Sequence, residues 1–252
     1  MVAALCGAGS AGADSQRVPI VAAAASVRFA LEEVAENFRD RTGQAVRLSF
    51  GASGNLARQI REGAPYDVFL AADPRIVLDL ARDGFAEDQG RDYLLGRLAI
   101  VVPRGSPLAA DGSLADLRAA LGDGRLRRFA IANPEHAPYG LAAQQALAHA
   151  GLWEAIRPHL VLGESVGQAA QFALSGNAEG GIIGYALARA PALAARSTCA
   201  PIPRAWHAPL RHRAVLLRTA GPTARRFYEY LLSPAAAEIF ERHGFDTPGA
   251  TD

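Results

Sequence analysis

Short apolar runs alternate with amphipathic segments along almost the whole of this chain, and residues that start helices stand at the junctions. A strand-length run followed by a helix-length segment, repeated many times, leaves few folds open: the runs pair into largely parallel sheets and the helices cover them. The first unit is a strand at Ile20 to Ala24 and a helix capped by Ser26, whose apolar positions Val27, Leu31, Val34 and Phe38 form one face ending near Gly43. The second is a strand at Val46 to Phe50 and a helix capped by Ser53 that carries Leu56 and Ile60. A strand at Val68 to Ala71 follows. Asp73-Pro74, an N-cap residue with proline at the first helical position, then starts a third helix that runs to Gly84.

After Leu98 to Val102, a β run closed by Pro103-Arg104-Gly105, the pattern restarts. Ser113 and Asp116 are spaced as a helix start, Phe129 to Ala132 and Leu160 to Leu162 read as strands, and Pro138 to Ala150 reads as a helix. Ser165 caps a helix with the face Val166, Ala169, Ala170 and Ala173, and a short strand spans Gly181 to Gly184. A late strand at Ala214 to Leu217 and two helices, the second started by Ser233-Pro234, close the chain. The expected fold class is α/β in two lobes, each a mostly parallel sheet flanked by helices. At 252 residues the chain has material for two lobes of roughly 100 residues each. Residues 18–99 and 213–252 are expected to form lobe 1 and residues 100–212 lobe 2, with two crossings between them. In such folds a ligand sits beyond the strand C-termini, which here means the cleft between lobes.

Composition narrows the partners. Lys plus Arg number 26 against 25 Asp plus Glu, so the net charge of +1 supplies no field for nucleic acid or an anionic membrane. Two cysteines, Cys6 and Cys199, make neither a disulfide framework nor a zinc cluster. Residues 1–13 are small and apolar and end in Ala11-Gly12-Ala13, the pattern of a signal-peptide remnant with an A-x-A cleavage site, although a basic leading region is missing. Gly7 to Gly12 also fits G-x-G-x-x-G, but no strand precedes it and no patterned helix follows, so the match is one of chance.

Ser26 and Ser53 are the candidate chemistry. Each follows a strand and opens a helix, where backbone N–H groups lack intrahelical partners and the first turn carries about half a positive charge. Two such turns side by side suit a small anion without any metal or formal cation.

The run FGASGNLARQIREGAPYDVFLAADP (Phe50 to Pro74), with AAAAS before it and ANPEHAPYG, NAEGGII and AAEIFERHGF after it, closely resembles the periplasmic molybdate-binding proteins of ABC importers. The resemblance spans residues 18 to 246. It implies a two-lobed periplasmic-binding-protein fold of type II kind that holds molybdate or tungstate as an oxyanion between its lobes. Serine hydroxyls and backbone N–H groups would hold it, with no cofactor and no metal cation bound directly by side chains. It also implies a periplasmic, monomeric receptor that serves an ABC permease and is not an enzyme. Carried over by motif, the oxyanion site is Ser26, Ser53, and the main chain at Tyr139 and Val166.

The match has two departures. Where some members place a tyrosine on the short strand, this chain has Gly184, and Tyr185 follows one place later, a shift that turns a strand side chain to the opposite face. Arg28, two residues after Ser26, stands where a small polar residue is expected and is a secondary candidate for the anion. Asn133, Glu135 and His136 read as structural, positioning the turn of lobe 2, and His207 and His212 as surface or hinge packing. The competing class is a serine hydrolase: Gly163-Glu164-Ser165-Val166-Gly167 fits G-x-S-x-G between a strand and a helix, and would need Glu229 or Glu238 and then His243 to complete a triad. A cytosolic sensor on the same fold would need a DNA-binding segment, and none is evident.

Overall fold

The computed structural model describes residues 17–248. The expectations for residues 1–13, including the signal remnant, Cys6 and the Gly7 to Gly12 match, lie outside the described residues. The first part of the chain runs β1 (Ile20–Ala24), α1 (Arg28–Thr42), β2 (Arg47–Gly51), α2 (Ser53–Arg61), β3 (Val68–Ala71), α3 (Pro74–Arg82) and β4 (Arg91–Gly96). The next strands and helices are β5 (Leu98–Pro103), α4 (Ala115–Asp123), β6 (Phe129–Ala132), α5 (Pro138–His149), α6 (Trp153–Ile156), β7 (Leu160–Gly163), α7 (Val166–Leu174) and β8 (Gly180–Gly184). Then come α8 (Tyr185–Arg189), α9 (Pro191–Ala194), β9 (Ser197–Pro201), β10 (Leu210–Leu216), α10 (Pro222–Leu231) and α11 (Pro234–Arg242).

These strands form two five-stranded sheets, in the orders β2-β1-β3-β10-β4 and β7-β6-β8-β5-β9. Within each, the βαβαβ unit pairs in parallel: β1 with β2 and β3, and β6 with β7 and β8. The remaining ladders, β10 with β3 and β4 and β5 with β8 and β9, are antiparallel. Each sheet is therefore mostly parallel in strand direction, as expected, with one antiparallel strand that makes it mixed. The reason is topological: β5 and β10 enter from the other sheet, and a strand arriving from that side runs against its neighbours. Sheet membership changes at Arg97, between β4 and β5, and again between Pro201 and Leu210.

Apolar content explains which strands are central. Along β1, Val21 and Ala23 pack with α1, α10 and α11, while Ala22 packs with α2 and α3 on the other face. In β3, Val68 and Leu70 face the first set, and Phe69 and Ala71 the second. A strand covered on both faces reads as an unbroken apolar run, as these do. The face predicted for α1 is buried at Val27, Leu31, Val34 and Phe38, and the Phe38 ring meets Phe227 edge-on at 5.3 Å. Burying an aliphatic or phenyl side chain of this size stabilises the fold by roughly 1.5–3 kcal/mol.

Several expected helix starts hold and one moves. Asp73 accepts from Arg75 N–H, and Ser233 from Ala236 N–H. Ahead of α4 the carboxylate of Asp111, rather than Ser113, accepts from Ala115 N–H at 2.9 Å, because Leu114 turns into the left-handed region at φ 59° and occupies the cap position itself. Strands β4 and β9 have no counterpart in the sequence reading. Each is an edge strand with exposed or half-buried positions, so neither shows a continuous apolar run.

Candidate functional site

The strand-to-helix turns of the two sheets meet end to end. On the first sheet, β1 leads through a 3-10 turn (Ala25–Val27) into α1, and β2 leads into α2. On the second, β6 leads into α5 and β7 into α7. Contacts close these four turns into a ring. Gly54 N–H at the start of α2 donates to His136 O ahead of α5 at 3.0 Å. The Asn55 amide reaches the Glu164 carboxylate ahead of α7 at 3.5 Å. A Cβ placed on Gly167 of α7 would lie 3.4 Å from that of Ala25, and Ser26 lies beside the phenol of Tyr139. Ala24, Ala25, Ala52 and Ala72, all at strand ends of the first sheet, pack into the core of the second.

Within this ring the two serines do not do what was expected. Neither caps its helix: Ser26 lies inside the 3-10 turn that Ala24 precedes, with Val27 at the cap position of α1, and Ser53 lies inside α2, with Ala52 at its cap position. A hydroxyl at that position is not folded back onto its own N-terminal N–H groups, so it is available for other partners. Ser53 is fully buried, and its Oγ accepts from Ala72 N–H at 3.0 Å, which leaves its proton to donate elsewhere. Ser26 is 2 % exposed, and its Oγ has no partner in hydrogen-bonding geometry. A buried hydroxyl left unsatisfied costs about 1–3 kcal/mol, so an orphan at this place fits a polar ligand.

The second sheet contributes helix ends. Tyr139 and Val166 occupy the first turns of α5 and α7, where N–H groups have no i−4 carbonyl to meet. Ser165 is the N-cap of α7, its Oγ accepting from Gln168 N–H at 3.3 Å. That hydroxyl is engaged by a backbone donor. The histidine required for a triad, His243, pairs instead with Glu33 of α1 at 2.7 Å, so the hydrolase constellation is not assembled. Asn133 is structural as expected: its side-chain oxygen accepts from Glu135 N–H and its carbonyl from Ala137 N–H, shaping the turn into α5. Among the described residues no group of three or more His, Cys, Asp or Glu side chains is placed to hold a metal ion.

The three secondary candidates are placed differently from one another. The Arg28 guanidinium lies over the Phe50 ring, 4.3 Å from its centroid, and 3.5 Å from Glu32. It lines a cavity of about 700 Å³ together with Ala25, Ser165 and Gly167 of the ring and with Gln168, Gln171 and Arg196. Tyr185 opens α8, with Arg97 and Arg189 over its ring at 5.0 and 5.6 Å. Gly184 does adjoin the site, in an unexpected way: a Cβ there would lie 3.0 Å from the Tyr139 ring, so that ring fills the space a side chain at 184 would take. The carboxylate nearest the ring, Glu164, is 71 % exposed and paired with His136 at 3.1 Å on the rim.

His212, read from the sequence as surface or hinge packing, is neither at the surface nor in a hinge. It is completely buried in β10, and Tyr139 Oη lies 3.2 Å from its Nε2. Burial pulls its pKa down to about 3, so it is neutral. A signal was present: Leu210, His212 and Ala214 share one face of a strand on which Arg211 and Arg213 point the other way.

Two mixed α/β lobes, crossed twice by the chain and facing each other through helix N-termini, define the class of two-lobed solute-binding receptors. The chain belongs to the bacterial extracellular solute-binding protein family, whose model matches residues 20–246. It is 34% identical over 243 residues to the molybdate-binding protein ModA of Azotobacter vinelandii, covering 95% of this chain and 94% of the relative. It is 36% identical over 243 residues to the molybdate-binding protein ModA of Escherichia coli, with coverages of 94% and 92%. The solved periplasmic molybdate-binding protein of Azotobacter vinelandii superposes with a TM-score of 0.82 at 31% identity, over 91% of this chain and 99% of that one.

Proposed function

We propose that this chain captures molybdate or tungstate between its lobes in the periplasm and delivers it to an ABC permease, acting as a monomer and without a cofactor. The lobes, expected as residues 18–99 with 213–252 and residues 100–212, are assigned by sheet membership as 18–97 with 210–246, and 98–201, because β5 starts at Leu98 and β10 at Leu210. The observation that carries the reading is the pair of buried serine hydroxyls at the turns that meet two helix N-termini across the cleft. Ser26 and Ser53 hydroxyls and the N–H groups of Tyr139 and Val166 are the assigned donors. Each hydrogen bond to a charged acceptor contributes roughly 1.5–3 kcal/mol, so about six such bonds suffice for tight capture. An anion that touches both lobes stabilises only the state in which they meet, which gives a permease a closed form to recognise. The molybdate-binding relatives support the choice of anion.

Titration calorimetry with molybdate, tungstate, sulfate and phosphate tests this. Sub-micromolar binding of a group-six oxyanion, with sulfate and phosphate far weaker, is the expected result. Absence of such binding for both molybdate and tungstate sinks the assignment.

A further inference from the structure

Behind the Ser26 turn lies a set of buried polar groups for which oxyanion binding alone gives no reason. His212 is enclosed by the rings of Tyr93, Tyr139 and Phe245, with centroids 6.0, 5.8 and 5.9 Å away. Its Nε2 faces Tyr139 Oη at 3.2 Å, and its Nδ1 is buried with no partner. The neutral ring carries one proton. On Nδ1 that proton would be a donor buried without an acceptor. On Nε2 it meets the Tyr139 oxygen and leaves only a lone pair unmatched, which costs less.

With His212 donating, the Tyr139 proton needs an acceptor of its own. Ser26 Oγ is beside it and has no partner in hydrogen-bonding geometry, and burial raises the phenol pKa, so the phenol keeps its proton. Two glycines hold the phenol in this slot. A Cβ on Gly96 would lie 2.0 Å from the Tyr139 hydroxyl, and one on Gly184 would lie 3.0 Å from its ring.

We infer that Tyr139 is a positioning residue for Ser26: His212 Nε2–H donates to Tyr139 Oη, Tyr139 O–H donates to Ser26 Oγ, and the Ser26 proton is thereby turned toward the anion. The inference rests on the oxyanion reading of the serine turns and deepens it. Ser53 reaches the same condition by another route, because Ala72 N–H occupies its acceptor side. Both hydroxyls then have one acceptor site filled and their proton free for the anion. Such a site suits a tetrahedral dianion without protons and offers less to the O–H of hydrogen phosphate, so the relay is a determinant of specificity.

A double-mutant cycle tests it. Tyr139→Phe weakens molybdate binding about tenfold in the wild-type background and by less than about twofold in Ser26→Ala, since the effect travels through that hydroxyl. Equal losses in both backgrounds mean that Tyr139 only packs, and overturn the relay. Tyr139→Phe also narrows the ratio of molybdate to phosphate affinity, because a free Ser26 hydroxyl can turn to accept; an unchanged ratio removes the specificity role. Nitrogen-15 imidazole spectra of the ligand-free wild-type protein provide an arm that needs neither a variant nor an anion. Protonation of His212 at Nε2 supports the relay, and protonation at Nδ1 overturns it. A wild-type protein that binds neither molybdate nor tungstate fails the functional reading in the titration, while the spectra still decide the relay.

Discussion

The two lobes are built on one plan and use it differently. In each, a βαβαβ unit supplies three parallel strands, and a strand arriving from the other lobe is placed fourth in the order. The turn after β1 corresponds to that after β6, and the turn after β2 to that after β7. In lobe 2 the serine before the second helix, Ser165, is a true N-cap and spends its hydroxyl on Gln168 N–H. In lobe 1 its counterpart, Ser53, sits one position further in, with Ala52 as the cap, and its hydroxyl faces away from its own helix. One residue of offset separates a structural serine from a donor. Lobe 1 thus presents side-chain hydroxyls to the cleft and lobe 2 presents main chain, so the two halves should differ in how mutation reaches them.

Ser53→Ala breaks the contrast most directly. It removes the proposed donor and also orphans the buried Ala72 N–H, so molybdate affinity is expected to fall about a hundredfold and the melting temperature to drop as well. Calorimetry and thermal unfolding of the ligand-free protein check the two parts, and an unchanged affinity would move the anion away from this turn. Ser165→Ala, by contrast, costs a cap and is read mainly in stability, about 1 kcal/mol.

Gly54→Ala attacks the seam between the lobes. Its Cβ would lie 2.8 Å from His136 O, where Gly54 N–H donates, so the lobes cannot meet at their present separation. Affinity is expected to fall by about tenfold or more, from a closure penalty of about 1–3 kcal/mol. Scattering should show a larger radius in the presence of ligand than for the wild type, and full compaction would deny that this contact limits closure.

Val166→Pro sharpens the claim that lobe 2 works through main chain. Proline is tolerated at the first helical position, and Ser165 already has the extended backbone that a following proline requires, so the substitution deletes one N–H and keeps the helix. Binding is expected to weaken about tenfold, while Val166→Ala, which keeps the N–H, stays within about threefold. Equal effects of the two would assign Val166 to packing. The smallest effect is expected for Arg28→Ala, within about twofold of wild type, because the guanidinium is held over Phe50 and beside Glu32. A tenfold loss there would restore it to the site.

Much of this was legible in the chain itself, because it depends on local rules. The α1 face, the Asp73-Pro74 start and the double-sided burial of β1 and β3 follow from periodicity, cap chemistry and unbroken apolar runs. The resemblance added the anion and pointed to four turns. The edge strands β4 and β9 were hidden, since half-exposed residues carry no strong period, and so was the mixed character of the sheets, since strand direction depends on which lobe a strand comes from.

By itself, then, the sequence determined the α/β class, the order of the central strands and the main helices, and which turns hold the candidate donors, all properties encoded within a few residues of one another. Only the tertiary structure decided which serine caps and which faces the cleft. The same holds for the Tyr139 ring, which occupies the space left by Gly184, and for His212, 73 residues from Tyr139, which ends at its hydroxyl. Those outcomes depend on distances across the interface between lobes, and no local pattern records them.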